Sequence, residues 1–186
     1  MIMGCDGDSG SAAPAAPPSR FEAVTAAAPK QDELAGFCDV RAERGQGKAF
    51  AFPAVEGAAP AGLGQTRPLW LNLWATWCKP CVEEMPMIAR WQQQLAAAGQ
   101  KVDVAFVSVD EDAAAVPTFR AEHPSVPDSL HIADPSALAS VVAALGLDAG
   151  AGLPIHVFVE PGGHIRCVRA GAVTESHHAV VTSLLQ

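Results

Sequence analysis

The chain has 186 residues, of which 49% are hydrophobic and 17% are charged, so it is long enough for one domain with a sizeable core. Its 12 basic and 20 acidic residues give a formal net charge of -8, and no cluster of lysine and arginine provides the basic patch that nucleic-acid binding requires. No apolar run approaches the length of a membrane-spanning helix. These properties argue against the nucleic-acid-binding and membrane-spanning classes.

Residues 1–30 differ in composition from the rest of the chain. They are rich in Gly, Ser, Ala and Pro, with too few large apolar side chains to form a core. We therefore predict a disordered N-terminal tether over residues 1–30, followed by one folded domain over residues 31–186. Gly4-Cys5 and the polar linker after it are similar to the processed end of a bacterial lipoprotein, in which the cysteine carries the lipid. The apolar stretch of a signal peptide is missing, so the alternative is an unmodified cysteine in a disordered tail.

Hydrophobic patterning predicts the first elements of the folded domain. Residues 32–38 predict a short helix, and residues 48–55, which alternate weakly and contain a proline, predict an edge strand. Residues 68–76 form an almost unbroken apolar run, which is typical of a central strand buried on both faces. Residues 79–98 predict a helix that ends at Gly99.

The remaining segments complete a layered α/β domain. They predict a strand at 101–110, a helix at 113–123, a short strand at 130–134, a helix at 136–146 with Ser136 as its N-cap, a hairpin of strands 155–160 and 165–171, and an amphipathic helix at 174–186. The strand–helix alternation of the first half requires parallel crossovers, whereas the hairpin requires antiparallel pairing. The sequence therefore predicts a mixed sheet.

The segment WATWCKPCVEEMP, residues 74–86, carries two cysteines at the junction between the buried strand and the long helix. A helix N-terminus offers unpaired N–H groups and the positive end of the helix dipole, and both favour a thiolate at Cys78. The positive charge of Lys79 adds to this effect. Cys81 lies one turn further into the helix and can reach back to the first sulfur. The pair is therefore suited to attacking a disulfide and then resolving the mixed intermediate.

A metal site and a purely structural pair are the alternatives for these two cysteines. A structural zinc site requires four ligands, and the sequence has no second CxxC and no HxxxH. The adjacent His177 and His178 face different directions on a helix. A purely structural role is also disfavoured, because bulky Trp74 and Trp77 precede the pair at an exposed junction. A CxxC beside a βαβ pattern favours redox chemistry.

The same segment resembles the active site of the TlpA/ResA-like thiol-disulfide oxidoreductases of the thioredoxin superfamily, and the resemblance runs over roughly residues 45–186. Leu153-Pro154 matches the position of the family's cis-proline, which faces the two sulfurs. The turn PGGH resembles the family's terminal hairpin, and residues 112–134 resemble its helix–strand insertion. The resemblance implies an α/β thioredoxin fold, a mixed central sheet with helices on both faces. The sequence departs from the family at Ile155-His156, where relatives usually carry small hydroxyl residues.

The resemblance also implies a role for a carboxylate. Thioredoxin has a buried aspartate on the strand ahead of its first cysteine, and the corresponding residue here is Asn72, which cannot take a proton. Glu84 follows Cys81 on the same side of the helix and matches the carboxylate that handles this proton in the family. The alternative is that Glu83 and Glu84 are first-turn carboxylates that stabilise the helix dipole. We expect that role for Glu83 and the proton role for Glu84.

Cys38 and Cys167 lie outside the CxxC segment, one before the predicted edge strand and one in the last strand. Free buried cysteines are common, so two unpaired thiols are one possibility. An exported chain meets an oxidising compartment in which the two can pair. Some relatives carry an extra structural disulfide near the chain start, which makes a Cys38–Cys167 bond the tentative expectation.

The predicted function is an envelope thiol-disulfide oxidoreductase that exchanges electrons with protein disulfides on the periplasmic side of a bacterial cell. The catalytic residues are expected to be Cys78, Cys81, Glu84 and Pro154. The neighbouring site residues are expected to be Trp77, Lys79, Pro80, Asn72 and Leu153. His156 is the one histidine placed to touch this centre, although a packed core histidine is the competing interpretation.

No cofactor or metal is expected for this chemistry. The expected partners are protein thiols and disulfides and an upstream membrane reductant, with Cys5 as the candidate site of a membrane anchor and a monomer as the expected state. Cytochrome c maturation, copper-site assembly and thiol repair all occur among similar proteins. Two alternative functions are a thiol-dependent peroxidase of the peroxiredoxin type, which shares the fold, and a metal-delivery or binding module that uses the CxxC sulfurs.

Overall fold

The computed structural model describes Met1, residues 31–56 and residues 59–186. Apart from Met1, the predicted tether with Cys5 lies outside the described residues. The helices are α1 Gln31–Phe37, α2 Lys79–Ala97, α3 Ala115–Glu122, α4 Leu138–Ala144 and α5 His178–Leu184. The strands are β1 Val40–Arg41, β2 Leu69–Trp74, β3 Asp103–Ser108, β4 Leu130–His131, β5 Ile155–Glu160 and β6 His164–Ala170.

The strands form one six-stranded sheet in the order β1-β6-β5-β2-β3-β4. The pairs β2–β3 and β3–β4 are parallel, whereas β5 is antiparallel to both β2 and β6, and β1 is antiparallel to β6. The predicted mixed sheet is therefore confirmed. Every residue of β2 and of β5 is buried, as expected for apolar strands at the centre of a covered sheet.

Helices cover both faces of the sheet. On one face, Trp70 of β2 stacks on Trp91 of α2 with ring centroids 6.1 Å apart, and Trp74 contacts Phe119 of α3. Leu71 alternates with these residues along β2 and therefore points to the opposite face, where it lines a cavity together with residues of α4. The side chains that share the face of Trp70 thus lie beneath α2, the helix that begins at the CxxC motif.

Residues 48–55 do not form the predicted edge strand. Ala49 makes a single bridge to His164, and Val55 makes one to Ile132, so the segment touches strands from opposite halves of the sheet without pairing along either. Pro53 interrupts the segment and has no N–H to donate to a ladder. The edge position beside β6 is occupied by β1 instead.

The start of α4 also differs from the prediction. Asp134, rather than Ser136, caps a short 3-10 turn that leads into the helix. Its carboxylate accepts hydrogen bonds from the backbone N–H of Ser136 at 2.9 Å and from the Ser136 hydroxyl at 2.6 Å. An aspartate is as effective an N-cap as a serine, so either residue satisfies the sequence pattern.

A disulfide joins Cys38 to Cys167, with the two Cα atoms 5.5 Å apart. Cys167 is fully buried in β6, so the bond attaches the segment after α1 to the interior of the sheet. Phe37 adds an apolar contact with Phe158 of β5, at 5.8 Å between ring centroids. The Arg169 guanidinium lies 4.8 Å from the centre of the Phe37 ring and donates a hydrogen bond to the Phe37 carbonyl.

Removing the Cys38–Cys167 disulfide is expected to destabilise the fold. The bond closes a loop with a sequence separation of 129 residues, which corresponds to about 5 kcal/mol of unfolded-state entropy. We expect Cys38→Ala/Cys167→Ala to lower the free energy of unfolding by up to about this amount in denaturant titrations.

The matched control is Cys78→Ala/Cys81→Ala, which removes a disulfide that spans only 3 residues. This variant is expected to lose less stability, because a short loop costs the unfolded chain little entropy. Equal unfolding midpoints for the wild type and the Cys38/Cys167 variant would contradict the stabilising role.

Candidate active site

The two cysteines of the CxxC motif form a disulfide at the N-terminus of α2. Cys78 is the N-cap residue of the helix, and its carbonyl accepts a hydrogen bond from the Val82 N–H at 3.2 Å. The Cα atoms of Cys78 and Cys81 are 5.3 Å apart. Cys78 retains 5% exposure, whereas Cys81 has none. Of the two sulfur-bearing residues, only Cys78 reaches the surface in this oxidised state.

A buried aspartate holds the loop between β2 and Cys78. Asp110 lies just beyond β3, and its carboxylate accepts hydrogen bonds from the Thr76 N–H, the Thr76 hydroxyl and the Ser108 hydroxyl. Trp77, the next residue of the loop, is 71% exposed. Asp110 is a residue of this site that the sequence pattern did not predict. The sequence feature that could have identified Asp110 is its position as a polar residue at the carboxyl end of a parallel strand beside β2, where functional sites of open α/β sheets form.

Glu83 and Glu84 are adjacent in sequence but lie in different environments. Glu83 is exposed and makes an ion pair with Lys79 at 3.6 Å. Glu84 is buried, with 4% exposure. Because α2 begins at Lys79, neither residue belongs to its first turn, and the predicted helix-dipole role of Glu83 is wrong. Glu83 forms a solvent-exposed (i, i+4) pair instead, a type of interaction that contributes little to stability.

Polar groups from three parts of the chain surround the Glu84 carboxylate. Asn72 of β2 donates its side-chain N–H to Oε1 at 2.8 Å, and the backbone N–H of Val173 donates to Oε2 at 2.8 Å. The Nε2 atom of His156 lies 3.3 Å from Oε1. A buried carboxylate needs such donors to remain ionised. Glu84 lies one helical turn after Cys81, so the carboxylate is on the Cys81 side of the helix.

His156 is fully buried in β5, directly opposite Asn72 in the β2–β5 ladder. Its Nδ1 atom lies 3.1 Å from the indole nitrogen of Trp70 and 3.2 Å from the side-chain nitrogen of Asn72. The interpretation of His156 as a packed core residue is therefore incomplete, because the ring is also part of the polar cluster around Glu84.

A second histidine, His177, lies near this cluster. Burial lowers the pKa of His177, and the positive charge of Arg169 and the proximity of His156 lower it further. Its Nδ1 atom accepts a hydrogen bond from the backbone N–H of Thr174 at 3.0 Å, which caps the turn before α5. The neutral ring suits this acceptor position.

The remaining predicted site residues lie at the same end of the sheet as the disulfide. The Leu153-Pro154 peptide bond is cis, and Pro154 is buried. Ile155, which follows it, pairs with Leu73 near the end of β2, so Pro154 is located where β2 leads into the CxxC loop. Lys79 and Pro80 are exposed in the first turn of α2, and Leu153 is half-buried.

In the described part of the chain, no three histidine, cysteine or acidic side chains are grouped as metal ligands. Across residues 31–56 and 59–186, no helix has both the length and the apolar character needed to cross a membrane.

Comparison with known proteins identifies relatives of this site. The chain is 43% identical to the thioredoxin-like protein YneN of Bacillus subtilis over 49 residues, covering 26% of this chain and 29% of YneN. It is 30% identical to the thiol-disulfide oxidoreductase ResA of Bacillus subtilis over 108 residues, covering 58% of this chain and 55% of ResA. The chain therefore spans less than two thirds of the length of these relatives.

The solved structures show the same fold. A secreted thiol-disulfide isomerase from Corynebacterium glutamicum superposes with a TM-score of 0.57 at 19% identity, covering 78% of this chain and 89% of that chain. The predicted thioredoxin fold is thus confirmed. The family model described as Redoxin matches residues 62–182, which is more than half of the chain. The chain belongs to the Redoxin family, within the thioredoxin superfamily.

Proposed function

We propose that the protein is a thiol-disulfide oxidoreductase that acts on protein disulfides through Cys78 and Cys81, with Glu84 as the group that accepts and returns a proton. The observation that carries this proposal is the buried Glu84 carboxylate, which is held by donors next to the oxidised pair at the start of α2. A purely structural disulfide has no need of a buried carboxylate beside it.

The reaction begins from the reduced pair. The Cys78 thiolate attacks one sulfur of the partner's disulfide, the partner's S–S bond breaks, and one partner thiolate leaves. Cys81 then passes its proton to Glu84, and its thiolate attacks the Cys78 sulfur. The mixed disulfide breaks, the Cys78–Cys81 bond forms, and the second partner thiolate leaves. Two electrons pass to the partner, whose two sulfurs take up protons; an external reductant later restores both thiols.

The surface around Cys78 is suited to an extended partner chain. Trp77 is exposed beside the nucleophile and lines an open cleft with Thr76 and Asp110. Tryptophan supplies a large contact area at protein interfaces. In this proposal, the partner chain lies in a groove beside Cys78, with Trp77 on one side and Pro154 on the other. Leu153, Lys79 and Pro80 are the neighbouring site residues.

We place this activity outside the cytoplasm, on the periplasmic side of a bacterial envelope. Supporting this location, a second disulfide, Cys38–Cys167, lies away from the redox pair, and such bonds persist in oxidising compartments. One structural neighbour is a secreted protein. Cys5 is the proposed lipid-attachment site, and an upstream membrane reductant is the proposed electron source. Cytochrome c maturation is a candidate pathway for a monomeric protein of this kind.

A peroxiredoxin-type peroxidase is the alternative within the same fold. That chemistry does not require a CxxC pair, whereas here both cysteines of the motif are bonded to each other. Two assays, run on the wild type and on Cys81→Ser, decide between the two functions. One measures the consumption of hydrogen peroxide, and the other measures the reduction of a protein disulfide.

Cys78 is expected to be the nucleophile and Cys81 the shielded resolving residue. The ground is the exposure of Cys78, 5% against none for Cys81, together with its position at the helix N-cap. In gently reduced protein near neutral pH, iodoacetamide should label Cys78 much faster than Cys81, as measured by peptide mass spectrometry. Unfolded protein is the control, in which both should react alike. Equal labelling in the folded protein would contradict the assignment.

Glu84→Gln is expected to slow disulfide exchange while leaving the fold intact. The amide keeps the size of the side chain but cannot take the Cys81 proton. We expect the rate near neutral pH to fall by about 100-fold, the lower end of the range for a positioned general acid or base. Stopped-flow reduction of a protein disulfide over a range of pH measures the effect.

The matched control is Glu83→Gln, which alters the exposed neighbouring carboxylate. This variant should keep the wild-type rate at every pH, because Glu83 does not contact the buried cluster. If Glu84→Gln also retains the wild-type rate–pH profile, then Glu84 has no part in proton transfer.

A further inference from the structure

The side chain of His156 is fully buried in the polar cluster around Glu84. It has no solvent exposure, and its cross-strand partner Asn72 contacts both the ring and the Glu84 carboxylate. A buried histidine in an apolar core usually satisfies both ring nitrogens. Here Nδ1 has two polar contacts, whereas Nε2 has no hydrogen bond of regular geometry within the described residues.

The contacts of Nδ1 define the tautomer of the ring. The indole nitrogen of Trp70 is 3.1 Å from Nδ1, and an indole N–H can only donate. Nδ1 must therefore be the acceptor and carry no hydrogen. The side-chain N–H of Asn72, at 3.2 Å, approaches the same atom. A neutral imidazole with a bare Nδ1 carries its proton on Nε2.

The Nε2 hydrogen therefore lies on the side of the ring that approaches Glu84. Nε2 is 3.3 Å from Oε1 of the carboxylate, close enough for a favourable electrostatic contact even though the angle is not that of a regular hydrogen bond. Glu84 thus faces three N–H groups, those of Asn72, Val173 and His156. All three therefore restrict the position of the carboxylate.

We propose that His156 is a positioning residue for Glu84: its Nε2–H, fixed in place by Trp70 and Asn72, holds Oε1 of the carboxylate where Glu84 can accept the Cys81 proton. This inference rests on the proposed function, because it assigns to His156 the control of the same proton transfer. The ring does not exchange a proton with Cys81; it acts through the carboxylate.

Two other charged or titratable groups face this region from neighbouring elements. Arg169 of β6 is the cross-strand partner of His156 on its other side, and its guanidinium donates to the carbonyls of Phe37 and Ala172. His177, just before α5, is held neutral by its lowered pKa. Arg169 is thus hydrogen-bonded to other groups, and His177 is neutral. A substitution of His156 in β5 therefore removes its N–H contact to Glu84 selectively.

His156→Leu removes the donor while keeping a side chain of similar bulk. Losing this donor leaves Oε1 of Glu84 less firmly held, so the exchange rate near neutral pH should fall by about tenfold, a smaller loss than that expected for Glu84→Gln. His156→Gln is the conservative control, since its amide can accept from Trp70 and still donate to Glu84. We expect His156→Gln to restore the rate most of the way to that of the wild type.

The double variant His156→Leu/Glu84→Gln separates a positioning role from a packing role. If His156 acts through Glu84, the leucine should cause no further change in the profile once the carboxyl group is absent. A loss of rate that persists in the Glu84→Gln background would overturn the inference, and so would a wild-type rate for His156→Leu. A wild-type profile for Glu84→Gln alone would instead contradict the proposed function.

The tautomer provides a test that needs no mutation. Nitrogen NMR of full-length oxidised protein labelled in its histidines distinguishes a ring protonated on Nε2 from one protonated on Nδ1 or on both. We expect the His156 signals to show a neutral ring with hydrogen on Nε2 near neutral pH, with assignment from the His156→Gln spectrum. A hydrogen on Nδ1, or a charged ring, would overturn the proposal.

Discussion

The hydrogen bond from the Asn72 side chain to the Glu84 carboxylate is the interaction on which the site depends. It joins the central strand β2 to the active-site helix α2 at a fully enclosed point. A carboxylate in such a place is costly unless donors surround it, and Val173 supplies another from the loop before α5. The contacts that hold the helix against the sheet are thus the same contacts that hold the Glu84 carboxylate one helical turn after Cys81.

Sheet order explains how these groups come together. Because β5 lies antiparallel to β2, the residues after Pro154 run back along the strand that leads to Cys78, and His156 meets Asn72 directly. On the other side, parallel β3 delivers Asp110 to the end of β2, where it holds Thr76 in place. Strand β5 thus contributes His156 to the polar cluster beneath α2, and strand β3 leads to Asp110, which holds the loop before Cys78.

Local sequence pattern predicted the strand–helix junction at Cys78, whereas the cis-proline at Pro154 and the carboxylate at Glu84 were predicted from the resemblance to the TlpA/ResA-like family. Features that depend on tertiary pairing were missed. A two-residue strand such as β1 has no periodicity to detect, and residues 48–55 alternate without forming a ladder. The partners of Asp110 and of His156 are distant in sequence, and only the order and register of the strands bring them together.

The most direct test of the account is the reduction potential of the Cys78–Cys81 pair as a function of pH, in the wild type and in Glu84→Gln. Each proton taken up with the two electrons adds about 30 mV per pH unit to the slope. In the reduced protein, a Cys81 thiolate and a Glu84 carboxylate repel each other in the same interior, so reduction should draw an additional proton onto the pair. We expect the wild-type slope to exceed that of the variant over part of the pH range; superimposable curves would contradict the proposed role of Glu84.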